Sequence, residues 1–136
     1  MSENFSYEVR IFYEDTDSGG IVYYANYLKF MERARSELIR KLGFTQSDIA
    51  HKYSLKFVVS RINLNFINPS YLDDIITINT EISNMKKASI IFEQKIINQN
   101  SDKIVEAECQ IVCVDDELNV VQIPDEINKA LREFYG

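Results

Sequence analysis

Histidine is almost missing from this chain and tryptophan is missing altogether: its 136 residues include one His, two Cys, four Gly and two Pro. A lone His51 cannot build the multi-histidine sets that hold structural or catalytic zinc, and two cysteines do not make up the number. No metal site and no metal cofactor are expected. Cys109 and Cys113 fall in one strand-like run, IVEAECQIVCV. Four residues of extended chain separate them by about 13 Å at ~3.3 Å per residue, whereas a disulfide needs Cα atoms within about 7 Å. They read as small buried hydrophobes in a reducing compartment. A basic excess is lacking too: 15 Lys and Arg stand against 21 Asp and Glu, a net charge of −6, which argues against a nucleic-acid partner. No apolar run approaches the ~18 residues of a membrane span, and the start, MSENFSYEVR, has no charged-then-apolar signal pattern. A cytoplasmic protein without a membrane span is expected. No repeat, low-complexity tract or linker divides residues 1–136, so a single domain follows.

What is present has clear periods. Residues 6–12 alternate Tyr7, Val9 and Ile11 with polar neighbours, the signature of a half-buried strand. Three acids and a double glycine then break the pattern over 13–20. From about residue 25 the spacing turns helical, with Leu28, Met31, Arg35, Leu38, Ile39 and Leu42 on one stripe and Gly43 at the end. Phe30 and Ala34 widen that stripe, so a helix of about five turns is covered on more than one side. Its basic residues Arg33, Arg35, Arg40 and Lys41 mix with Glu32 and Glu37, which predicts a solvated face. Thr45 and Asp48 suggest a capped helical turn. Four strands are expected at 55–66, 74–83, 88–98 and 103–115, joined by short turns as an antiparallel meander. Pro124 then opens a terminal amphipathic helix carrying Ile127, Leu131 and Phe134. Five strands with one apolar face need a cover, and the long helix alone is large enough. The expected fold is α+β: an antiparallel sheet of about five strands wrapped around one central helix, plus a short C-terminal helix.

The stretch YEDTDSGGIVYYANY, residues 13–27, holds the chemistry. Asp15 and Asp17 lie two apart, a Gly19–Gly20 pair follows, and a helix begins just downstream. Glycines let a backbone approach a ligand closely, and a helix start presents unsatisfied N–H groups that favour negative charge. A carboxylate beside such donors suits acyl hydrolysis: the acid activates water or attacks, and the donors hold the oxyanion. The same residue types also make ordinary caps and turns.

YEDTDSGGIVYYANYLKFMERAR, followed by FVVSRINLNFINPSYLDD and KKASIIFEQKI, resembles the 4-hydroxybenzoyl-CoA thioesterase-like hot-dog family. It looks most like the branch associated with the Tol–Pal cell-envelope system. The resemblance runs over roughly residues 6–115 and agrees with the fold derived above. It implies an acyl-CoA thioesterase that releases a free acid and a thiol, with acyl-carrier protein as an alternative carrier of the acyl group. Matched residue by residue, the family's catalytic acid falls on Asp17, as general base or nucleophile. Its oxyanion donor falls on the backbone N–H of Tyr24. Gly20, Ile21, Val22 and Tyr23 would shape the pocket, and Asp15 would fix the loop.

Many members of that branch carry histidine where this chain has Tyr24, so no imidazole is available there. His51, in the polar run HKY, reads as a surface residue. The family's contacts with coenzyme A fall on Lys86, Lys87 and Ser89, with Ser60 and Arg61 as a second candidate pair. Arg61 could instead serve an ion pair across a subunit interface. Tyr23, Tyr24, Phe57 and Met31 are candidates for setting acyl preference. The resemblance further implies no cofactor other than the coenzyme A of the substrate, and a homodimer assembling to a homotetramer with the active site between subunits. The rival readings are a hot-dog hydratase or dehydratase, disfavoured by the shortage of histidine, and a non-catalytic acyl-CoA or acyl-carrier binding partner of envelope or lipid-synthesis proteins.

Overall fold

The computed structural model describes residues 2–136. Strand β1 (Phe5–Arg10) leads through a short 3-10 turn at Tyr13–Asp15 into helix α1 (Asn26–Lys41) and then α2 (Gln46–Tyr53). Four strands follow, β2 (Leu55–Phe66), β3 (Ile75–Met85), β4 (Ser89–Ile97) and β5 (Lys103–Asp115), and α3 (Asp125–Tyr135) closes the chain. The sheet is antiparallel in the order β1-β3-β4-β5-β2.

The two-residue period of β3 and β4 sends Ile76, Ile78, Thr80 and Ile82, and Ile90, Phe92, Gln94 and Ile96, to the buried face. Helix α1 answers with Tyr27, Phe30, Met31, Ala34, Leu38 and Ile39, each at most 4% exposed. A fully buried side chain of this size stabilises by about 1.5–3 kcal/mol, so this contact dominates the fold. The N-terminal half of α1 packs in one apolar cluster with Ile76, Ile78 and Val105. Its C-terminal half packs in another with Phe92, Cys109 and the α3 residues Ile127, Leu131 and Phe134. Cys109 and Cys113 are buried free thiols, and burial raises the pKa of both.

Several expectations need correction. The last four strands are not a simple meander: β3, β4 and β5 are, but β2 lies at the far edge, beside β5. The eight-residue link 67–74 crosses from one edge region of the curled sheet to the other. At ~3.3 Å per residue it can reach about 26 Å, ample for that crossing. The turn at Thr45 is the start of a two-turn helix: Thr45 Oγ1 accepts the Asp48 N–H at 3.1 Å. His51 sits in that helix, α2, and is exposed, as the polar run HKY suggested. Asn84 and Met85, expected in a turn, extend β3. Leu28 is 41% exposed, while Arg35, expected on a solvated face, is only 7% exposed. The helical stripe therefore faces the sheet with an arginine in it.

Candidate active site

Between the 3-10 turn and α1 the chain makes a tight loop held by its own hydrogen bonds. Thr16 bridges to Val22, the Asp17 N–H donates to Ile21 O at 2.8 Å, and the Gly20 N–H donates to Asp17 O at 3.1 Å. This folds residues 17–21 into a protruding tip with Asp17 at its base. Asp17 Oδ1 accepts the Gly19 N–H at 2.8 Å. A Cβ on Gly19 would lie 3.1 Å from that same oxygen, so a side chain there would press on the carboxylate. Gly20 has φ +82°, the left-handed region that glycine enters without strain.

Asp15 ties the loop to the helix. Its Oδ2 accepts the Phe12 N–H at 2.9 Å, and its carbonyl accepts both the Tyr23 N–H and the Asn26 Nδ2 at 2.9 Å. The Val22 N–H donates to Ser70 O at 2.9 Å and Ile21 bridges to Tyr71, which anchors the loop on the 67–74 crossing. Asn26 and Tyr27 donate to the Tyr23 and Tyr24 carbonyls. Among the described residues, the Tyr24 and Ala25 N–H groups find no intramolecular acceptor, and no side chain caps the helix. Two free donors at the positive end of α1 thus share one rigid loop with a carboxylate.

The surroundings are aromatic. The Tyr24 ring meets Phe66 edge-on at 5.9 Å, and Tyr27 lies 6.1 Å from the same ring. With Ile21, Val22 and Pro69 these line a cleft of about 230 Å³ that has no charged side chain in its wall. Tyr27 is buried, which pushes its phenol pKa up, and its hydroxyl donates to Ser70 Oγ at 3.1 Å. Asp17 is exposed to solvent in the single chain.

The other sequence candidates lie elsewhere. Ser60 sits at a register shift in the middle of β2, its hydroxyl donating to Gln110 O at 3.2 Å. Arg61 is paired across the sheet with Glu108 at 3.2 Å, not left for a phosphate. Lys86 and Lys87 are exposed in the turn after β3, with half-buried Ser89 opening β4. That turn and the Asp17 loop occupy opposite ends of β3, since the loop's neighbour Ile11 bonds to Asp74 O at the strand's start. Ten residue steps of strand are roughly 33 Å, so one chain does not bring these lysines to Asp17. Met31 is fully buried in the core, and Phe57 walls a different cleft, between α1 and β2. Among the described residues no group of three His, Cys, Asp or Glu stands close enough to hold a metal ion. No helix is long and apolar enough to cross a membrane.

Sequence reading singled out Gly19 with Gly20 but missed Asn26 and Ser70, which hold the loop through its backbone. Asn26 and Ser70 gave no local signal, because their partners are 11 residues away or more.

Known proteins resemble this chain over most of its length. The acyl-CoA thioesterase YbgC of Haemophilus influenzae is 40% identical over 135 residues, covering 98% of both chains. The acyl-CoA thioester hydrolase YbgC of Escherichia coli O6:H1 is 42% identical over 111 residues, 82% of each. Among solved structures, a probable thioesterase from Bartonella henselae superposes with a TM-score of 0.86 at 34% identity, covering 90% of this chain and all of that one. The model of the thioesterase superfamily matches residues 19–116, a span that begins inside the Asp17 loop and ends with β5. Loop, helix and five-stranded sheet together make this chain a member of the thioesterase superfamily, with the hot-dog fold.

Proposed function

We propose that the chain hydrolyses acyl-CoA thioesters, with Asp17 as general base or nucleophile and the Tyr24 backbone N–H as oxyanion donor. The reaction is supported by relatives of that activity aligned over nearly the full length. One observation supports the assignment: a solvent-accessible carboxylate and unsatisfied helix-start N–H groups belong to the same hydrogen-bonded loop.

As a base, Asp17 takes a proton from water while the water oxygen attacks the thioester carbonyl carbon. The carbonyl π pair moves onto oxygen, where the Tyr24 N–H meets the developing charge. Collapse of that oxyanion breaks the C–S bond, and the thiolate leaves with the proton delivered to it. As a nucleophile, the carboxylate attacks the carbonyl carbon, the C–S bond breaks and the thiolate leaves. Water then splits the mixed anhydride into Asp17 and the free acid. Gly20, Ile21, Val22 and Tyr23 form the wall on which the acyl group rests. The reaction as written needs water alone and calls on no cofactor.

A homodimer completes the site in this reading. Asp17 stands in open solvent in one chain, where contacts to a developing oxyanion are screened. Strand β2 is an unpaired edge of twelve residues, a template for a second copy. Exposed Val59 and Phe66 lie on it, Ile67 follows it, and exposed Tyr24 packs on Phe66. Pairing along β2 would cover the loop and bring coenzyme A groups of one subunit, Ser60, Lys86, Lys87 and Ser89 among them, toward Asp17 of the other. Arg61 would have to release Glu108 to join them. Two such dimers make the tetramer that the resemblance implies, and an acyl-carrier protein could present the same thioester.

The test is steady-state release of free thiol across a panel of acyl-CoA substrates, for the wild-type chain and for Asp17→Asn. Turnover should fall at least ~100-fold in the variant, as when a group acting in the chemistry is removed. Full activity in Asp17→Asn would discard the mechanism. A wild-type chain silent on every acyl-CoA and every acyl-carrier thioester would favour a binding role.

A further inference from the structure

Arg35 is the one charged side chain among the described residues that the core encloses. Its Nη1 donates to Gln94 Oε1 at 2.9 Å. Gln94 in turn gives its amide hydrogens to Met31 O and to Thr80 Oγ1, each at 3.0 Å. Gln94 is thereby satisfied on both sides, but the guanidinium meets only a neutral acceptor. No carboxylate of the described residues lies within the 4.0 Å of an ion pair to it. Burial pulls the pKa of Arg35 below the ordinary arginine value, with Cys109 and then Glu32 opposing. Arginine nevertheless stays protonated, so a buried positive charge persists without a counter-ion.

The remaining guanidinium donors are not sealed in. None is a buried nitrogen without a partner, so what is left of them opens onto the cleft that Arg35 lines, between α1 and β2. That cleft measures about 290 Å³, with apolar walls that include Ile39, Phe57 and Val59, and with Lys56, Glu32, Ser36 and Gln46 as its other polar residues. Two cations and one carboxylate make it locally positive in a chain of net charge −6.

We infer that this cleft binds a carboxylate carried on a short apolar chain, with Arg35 as the anchoring cation and Lys56 as a second. The planar guanidinium fork matches a carboxylate through two parallel hydrogen bonds. The apolar walls suit a hydrocarbon stem and not a polyphosphate. A volume at the low end of the ~300–1,000 Å³ usual for small-molecule sites fits a short stem. The inference builds on the thioesterase reading of Asp17. Antiparallel pairing of β2 with its copy about a two-fold axis sets the Phe66 end, which carries Tyr24, beside the Leu55 end of the other subunit, where the cleft opens. The far end of an acyl group held at one subunit's loop then points toward the other's cleft. Two sources share the chemistry: the terminal carboxyl of a dicarboxylic acyl thioester, and the free acid released by hydrolysis.

The experiment compares kcat/KM for glutaryl-CoA and valeryl-CoA, and titrates glutarate, valerate and neutral valeramide into the intact protein by calorimetry. A dicarboxylic source predicts glutaryl-CoA favoured at least ~10-fold, a preference that Arg35→Met erases as the loss of a buried charge partner does. A product source predicts no such preference but competitive inhibition by valerate, with valeramide inert. Lys56→Gln, at an exposed position, should weaken whichever effect is found by ~3-fold, and decides the matter if Arg35→Met does not fold. Equal use of the two thioesters together with no acid binding, or valeramide binding as well as valerate, would overturn the inference. If no thioester of the wider acyl-CoA and acyl-carrier panel is cleaved, the thioesterase reading fails, while the acid titration still tests the cleft.

Discussion

Helix α1 carries a polar constellation at its start and another at its middle, and they are built in opposite ways. At the start, Asp17 lies in solvent, the Tyr24 and Ala25 N–H groups have no acceptor among the described residues, and the loop spends its hydrogen bonds on holding its own backbone. At the middle, Arg35, Gln94 and Thr80 are buried, and both Gln94 and the Met31 carbonyl it serves lie in a dry interior. The first leaves groups unsatisfied where a substrate can satisfy them. The second satisfies groups where water cannot, apart from the guanidinium donors that face the cleft. Removing a partner should therefore cost chemistry at one place and stability at the other.

The sharpest way to break that contrast is Gln94→Leu. It strands the Arg35 Nη1 and the Thr80 hydroxyl in the core, where unpaired polar and charged groups are costly. Stability should drop by about 3 kcal/mol, read from urea unfolding; a change under about 0.5 kcal/mol would mean the network adapts or fills with water. Asp17→Asn is the converse. Its amide oxygen can still accept the Gly19 N–H, so the unfolding midpoint should stay put while thiol release falls at least ~100-fold. A large loss of stability in Asp17→Asn would show the loop to be held by charge, not by its backbone.

Gly19→Ala sharpens the comparison at smaller scale. Its new methyl would sit 3.1 Å from Asp17 Oδ1. The carboxylate must turn aside by a few tenths of an ångström, and misplacement of a catalytic group of this order should lower kcat by about 10-fold. Unfolding should hardly move, since the loop is exposed. Unchanged kcat would mean that the position of the carboxylate seen in the single chain is not the working one.

The two constellations were unequally legible in the sequence. Periodicity located the elements well: the bounds read for β2 and β5 coincide with those observed, and the long helix begins within one residue. Strand order was not legible, because alternation fixes which face of β2 is apolar but not which edge of the sheet it joins. That choice depends on how the sheet curls around α1. Asp17 stood out through its acids and glycines and through family resemblance, whereas Asn26 and Ser70 act through backbone atoms remote in sequence. Spacing put Arg35 on the apolar stripe, but its charge also put it on a solvated face, because charge usually means solvent, and only the spacing held. Only a glutamine nearly 60 positions away, itself on the inner face of β4, lets that arginine face the core. Lys86 and Lys87 show the same limit, since residue order does not tell which end of a sheet a turn occupies.

The smallest effect belongs to a polar group that neither reacts nor lies buried. Glu126, at the start of α3, accepts the Tyr53 hydroxyl at 2.7 Å and the Lys52 ammonium at 3.2 Å, which clasps α3 to α2. The Tyr53 hydrogen bond first, and Lys52 second, hold its carboxyl below the usual glutamate range. A depressed folded-state value means that the stability it contributes is fully present above the pKa of the unfolded chain. It is lost as pH falls through the folded value. Because the groups are exposed and salt-screened, the gain is slight. Glu126→Gln should thus lower the urea midpoint slightly at pH 7, and the gap from wild type should close as the pH is brought below the carboxylate range. A gap that instead persists in acid would assign the clasp to the neutral hydrogen bond with Tyr53, leaving charge no part in joining α2 to α3.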